Sequence, residues 1–133
     1  MNLEMIVKKQ NQKVIERMML IGKKIKKDTF MPVIEETRID TGLMRGNWQT
    51  TRGTTPASDI TRYELFGSMA KGYPAMNQML RTISSAGVNL LVNRLHYVDD
   101  WEPVDRMVAM SVSDFRNTVS DSVRVAKETI RLV

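Results

Sequence analysis

An α+β fold, with a small antiparallel β-sheet flanked by long N-terminal and C-terminal helices, follows from three features of this 133-residue sequence. Residues 3–29 carry apolar side chains at helical spacing. Residues 88–95 form a β-branched, leucine-rich run. Residues 104–131 carry a second helical seam. The length suits one domain. Residues 1–30 form a long basic helix, 31–103 a sheet-containing core, and 104–133 a C-terminal helix.

The first helix rests on Val7, Val14, Met18, Ile21 and Ile25, with Ile6, Ile15 and Leu20 broadening the stripe. Gln10 and Asn11 interrupt it near the start. At 1.5 Å per residue it would be about 40 Å long, more than a domain of this size needs. Pro32 is predicted to limit it, because proline pushes the preceding residue out of the helical region.

Arg38 to Gly42 reads as a turn, in which Asp40 bonds nearby backbone and Gly42 takes positive φ. Leu43 to Arg52 is predicted to be a strand centred on Trp48, with Arg45 and Asn47 on one face and the indole as an anchor on the other. Residues 53–72 form a loop region in which Tyr63, Leu65 and Phe66 supply a short strand or an anchor. Pro74 begins a helix with Met76, Met79, Leu80 and Ile83 on its apolar face, and residues 84–87 end it. Val88 to Leu95 is the strongest strand signal, expected to lie buried in the sheet. After Pro103 comes one long helix, its seam made by Val104, Val108, Val112, Phe115, Val119, Val123, Ala126 and Ile130. Valines are mediocre helix formers, so packing must hold this helix.

Composition narrows the chemistry. At 42% hydrophobic and 26% charged, the chain has enough apolar residues to fold. No uninterrupted apolar run reaches the length of a membrane span, and no secretory signal is expected at the start. The absence of cysteine excludes disulfides, thiol nucleophiles and thiolate metal sites, and a single histidine excludes any site that needs two. His96, with Asp99 and Asp100 close behind, has the residue types for metal binding or acid–base work; a structural imidazole at a strand end is the commoner case. Neither a phosphate-binding glycine loop nor a hydrolase motif occurs. The expectation is no enzyme and no cofactor.

The net charge of +5 lies entirely in the first 30 residues, and the remainder is neutral. Its densest part is the candidate partner-contact run Lys23, Lys24, Lys26 and Lys27. Such a run attracts phosphate, an anionic surface or an acidic protein face; the plainer alternative is a solvated helix face. It lacks the arginine and aromatic interleaving of base-reading proteins, so only nonspecific DNA contact is expected. Eleven methionines, mostly on predicted helices, suit adaptable packing, and two long apolar seams favour self-association.

Two segments carry a further signal. They are Ile39-Asp40-Thr41-Gly42-Leu43-Met44-Arg45-Gly46-Asn47-Trp48-Gln49 and Leu91-Val92-Asn93-Arg94-Leu95-His96-Tyr97-Val98-Asp99-Asp100-Trp101-Glu102. Together they resemble the head–tail joining proteins of tailed bacteriophages, the neck or tail-completion group. That group carries an Asp-Thr-Gly-x-x-Arg-x-x-Trp turn and strand, followed later by a strand running into Asn-x-Leu-Pro-Tyr and a closing Glu. The matching positions are Asp40, Thr41, Gly42, Arg45, Asn47 and Trp48, then Asn93, Leu95, Tyr97 and Glu102. His96 stands where the group usually has proline, and Pro103 where it usually has glycine. The polar, glycine-rich stretch before the last helix is nearly absent. The resemblance implies a structural virion protein, assembled in the host cytoplasm into a homo-oligomeric ring, a hexamer. Its implied partners are a portal-connector or head-closure protein on one side and a tail-tube or tail-terminator protein on the other. Channel DNA would be a nonspecific contact, and no membrane is involved. A small basic nucleic-acid-binding protein is the alternative from outside this class.

Overall fold

A computed structural model describes residues 2–38, 43–62 and 74–132, with the side chain of Val104 left aside. In chain order the elements are α1 (Leu3–Glu36), α2 (Leu43–Gly46), β1 (Trp48–Arg52), α3 (Pro74–Thr82), β2 (Asn89–Asn93), α4 (Val98–Asp105), α5 (Met107–Ser113) and α6 (Phe115–Thr129). The α+β class holds. The two strands pair antiparallel, Trp48 opposite Asn93, Thr50 opposite Leu91 and Arg52 opposite Asn89. The Asp40–Gly42 turn and the Tyr63, Leu65 and Phe66 segment lie outside the described residues.

The spine is α1, 34 residues long and therefore about 51 Å. Asn2 caps its start, its side-chain oxygen accepting from the Met5 N–H at 2.9 Å. Contrary to expectation, Pro32 does not end it; the helix continues to Glu36. Proline removes one intrahelical donor and crowds the preceding turn. One residue along from the carbonyl this leaves free, the Ser111 hydroxyl donates to the Thr29 carbonyl at 2.5 Å, so α5 is fastened to α1 next to the proline. Thr37 closes the helix, its N–H bonding the Ile34 carbonyl.

Against one side of α1 lie α5 and α6, running antiparallel to it. Ser111 meets Thr29, Asp121 meets Lys24, and the carbonyls of Ile130 and Arg131 accept from Arg17 and Lys13. The predicted single C-terminal helix is three helices. Arg106, at φ 51°, separates α4 from α5, and Asp114 separates α5 from α6. Pro103 sits within α4 rather than before the helix. A left-handed non-glycine residue costs roughly 1–2 kcal/mol. That cost is offset by the Glu102 carboxylate, which accepts from the N–H groups of Val108 (3.1 Å) and Ala109 (2.9 Å) and so caps α5.

These breaks rotate the buried face. Met107, Ser111, Ser122 and Ala126 are buried, whereas Val108, Val112 and Phe115 of the predicted seam are exposed. Small and hydroxyl side chains let α6 approach α1 closely, and the Ser122 hydroxyl satisfies itself on the Thr118 carbonyl.

The strand expected over residues 43–52 is shorter. Residues 43–46 are a helical turn, and Asn47 ends it by donating from its side chain to the Leu43 carbonyl at 2.8 Å. Arg45 thus lies on α2 and Asn47 at the junction, not on a strand face. β2 is half-buried along its whole length, not buried, because a sheet of two strands cannot enclose either one. In α3 the buried stripe is Ala75, Met79 and then Ile83, with Leu80 exposed.

On another side of α1, Gly22 passes under residues 84–87. A Cβ built at Gly22 would run into the backbone carbonyl oxygen of Ser85. In an isolated helix Gly→Ala gains about 1 kcal/mol. Here the backbone obstacle reverses the sign, and Gly22→Ala should lower stability by about 1–3 kcal/mol. Urea denaturation measures it; a more stable variant would mean that α1 and this loop do not touch.

Candidate functional site

Pairing Trp48 with Asn93 brings the two distinctive segments of the sequence into one cluster. Trp48 is 5% exposed, and its indole N–H donates to the Thr37 hydroxyl at 2.7 Å. That hydroxyl donates in turn to the Val33 carbonyl at 2.7 Å and touches the Met107 sulfur at 3.2 Å. A buried indole needs a partner for its N–H, and here the partner is the residue that ends α1.

Polar side chains around it bind backbone. Asn93 donates to the Met44 carbonyl at 2.7 Å while its own oxygen accepts from the Leu95 N–H at 3.2 Å. Asn47, fully buried, also accepts from the Ile60 N–H at 2.8 Å. Arg62 grips the carbonyls of Gly46 and Trp48, each at 2.7 Å. Leu95 is buried and Tyr97 is half-buried against the core; Arg45 is buried on α2. Glu102 caps α5. Of the residues singled out in the sequence, Asn47, Asn93 and Glu102 hold the chain's own backbone, Trp48 and Leu95 are buried with Tyr97 packed against the core, and Arg45 is buried on α2.

Arg38 completes the arrangement. Its guanidinium makes two 2.7 Å bonds to the Asp105 carboxylate and stacks 3.8 Å above the Trp101 ring. The adjacent arginine holds the Asp105 carboxyl below the ordinary range, through its hydrogen bonds foremost. Thr37, Arg38, Arg62 and Asp105 carry no sequence signal, because each is recognised only by a partner distant in the chain.

His96 is exposed, and among the described residues its ring contact is with the edge of the Tyr97 ring, at 5.3 Å between centroids. Among the described residues no group of histidine and carboxylate side chains is placed to hold a metal ion.

The lysine run divides in two. Lys24 bridges Asp28 at 2.5 Å and Asp121 at 3.5 Å; its pKa is raised, chiefly by the hydrogen bond with Asp28. Lys26 donates to the Gly87 carbonyl and the Asn89 side chain, both at 2.9 Å. Both are therefore used to fasten α1 within its own domain. Only Lys23 and Lys27, one turn apart, stand on the outer face. No family model, curated protein or solved structure matches the chain.

Two outcomes test the cluster. Trp48→Ala should cost about 3–5 kcal/mol in urea denaturation, since it removes a buried ring and leaves Thr37 without its donor. An unchanged midpoint would remove Trp48 from the core. For Asp105 the native pKa lies below the unfolded value of about 4. Its stabilisation is therefore complete above that pH and is lost as pH falls through the native value. Melting temperatures from neutral to strongly acid pH should show Asp105→Asn less stable at neutral pH and the difference closing below pH of about 4. A difference that stays constant would mean that the Arg38 link does not act through charge.

Proposed function

We propose that the chain is a structural virion protein of a tailed bacteriophage: a neck or tail-completion subunit that forms a ring and joins the portal-connector complex to the tail. The observation that supports this reading is the joint placement of the two family-like segments. They are some fifty residues apart in sequence, yet Asn93 of the second closes on Met44 and Trp48 of the first. Residues matched by resemblance in two separate stretches have a common structural task here, which a chance match in either would not supply.

The role fits the chemistry of the described surface. Polar side chains in the cluster are spent on backbone carbonyls and N–H groups, which builds a rigid subunit rather than a reaction centre. Assembly would then proceed with no bond made or broken. A closed ring needs a heterologous interface, one patch meeting a different patch on the next copy.

In the virus that encodes this chain, a premature stop in place of the Lys8 codon should leave DNA-filled heads and separate tails in electron micrographs. Supplying the intact chain should restore joined particles. Normal head–tail joints without it would overturn the reading. A DNA-binding titration distinguishes the alternative: tight binding to duplex DNA that weakens steeply with salt would favour a nucleic-acid-binding protein.

A further inference from the structure

Lys13 and Arg17 of α1 hold the carbonyls of Arg131 and Ile130, just after α6, and the first turns of α1 lie N-terminal to these bonds. N-terminal to these two residues the helix carries Leu3, Ile6 and Val7, from 41% to 75% exposed. This arm also carries Lys8, Lys9 and Lys13 against a single acidic residue, Glu4, up to position 14.

At the other end of α1 lies a surface of opposite character. Two adjoining hollows of about 360 and 380 Å³ run between the last turns of α1 and the α5–α6 junction. Their floor is Met31, Pro32, Met107 and Met110, and five carboxylates rim them: Asp28, Glu35, Glu36, Asp114 and Asp121. Asp28 and Asp121 share Lys24. Among the described residues no basic side chain pairs with Glu35, Glu36 or Asp114.

We propose that the basic, apolar arm of one copy of this chain seats in the acidic, methionine-floored groove of the next. Leu3, Ile6 and Val7 lie on the methionine floor, whose flexible thioethers suit an inserted apolar helix. Lys8 and Lys9 supply the charge opposite the rim carboxylates, Lys8 exchanging its Glu4 partner for them. The arm cannot fill its own groove, because Val7 and Glu35 lie about 42 Å apart along one continuous helix. Pairing of two arms would oppose like charges; arm against groove opposes unlike ones. The contact is heterologous, so it propagates from copy to copy and closes into a ring when the rotation allows. The inference rests on the ring part of the proposed function and needs nothing from its neck part.

The chain has no cysteine, so introduced ones report single contacts. Val7→Cys and Met110→Cys chains, mixed and mildly oxidised at low salt, should give a cross-linked dimer that neither variant gives alone. Both sites are exposed, and circular dichroism verifies that each variant folds. Adding Glu35→Lys and Asp114→Lys to the Met110→Cys chain should cut the yield several-fold. Adding Lys8→Glu and Lys9→Glu to its Val7→Cys partner should restore it. Dimers from Val7→Cys alone would mean arm–arm pairing and would overturn the inference. So would a wild-type chain that stays monomeric by light scattering at its highest soluble concentration. A closed oligomer without the 7–110 cross-link would overturn this interface and leave the ring reading standing. Normal head–tail joints in the absence of the chain would overturn the neck reading and leave the cross-link result untouched.

Discussion

The hydrogen bond from the Trp48 indole to the Thr37 hydroxyl joins the end of the spine helix to the start of the sheet, and the other elements are placed around that joint. Thr37 is where α1 stops, and its side chain simultaneously binds the helix carbonyl at Val33 and touches Met107 at the head of α5. One hydroxyl therefore fixes three directions: where α1 ends, how β1 enters, and where the C-terminal helices begin. Because the site is buried, none of these bonds competes with water, and losing one partner strands the others. The Arg38–Asp105 pair one residue later repeats the connection at the surface, tying α1 to α4.

Several departures from the sequence expectations occur beside polar side chains that fasten one element to another. Pro32 and Pro103 both read as helix limits. Each instead lies inside a helix, one beside the Ser111–Thr29 bond and the other next to Glu102, which caps α5. Spacing along the chain carries no record of such partners. The seam from Val104 to Ile130 was legible as helix, but a phase change at Arg106 and another at Asp114 turned Val108, Val112 and Phe115 outward and left Val119 and Val123 half-buried. The buried face carries Ser111 and Ser122, which hydropathy does not mark as core, together with Ala126 of the predicted seam.

The elements most legible in the sequence were those whose signal is local: the α+β class, α3 from Pro74, the strand at residues 89–93, and Trp48 as a buried anchor. The lysine run shows the opposite limit. Its charge was plain, but Lys24 and Lys26 find Asp121 and Asn89 only through the tertiary fold, so half of a candidate partner surface proved to be internal fastening. The exposed basic side chains lie instead at Lys8, which pairs with Glu4, at Lys9, and at the outer pair, Lys23 and Lys27.

The balance of apolar burial bears on what kind of molecule this is. Among the described residues ten apolar side chains are buried, while fifteen large ones are exposed, and more than half of those fifteen lie on α1 before Leu20. At roughly 25 cal/mol per Å² of apolar surface, these uncovered side chains forgo stabilisation that neighbouring chains packed around them would supply. A small domain with a two-stranded sheet has little margin to forgo it. Extending a helix of about 51 Å beyond its own core makes physical sense when its exposed apolar side chains are covered by another chain. The same geometry explains why the buried polar cluster is so tightly self-satisfied: a subunit that presents an arm to a neighbour needs a fixed base from which to aim it, and the Trp48–Thr37 joint at the far end of the same helix supplies one.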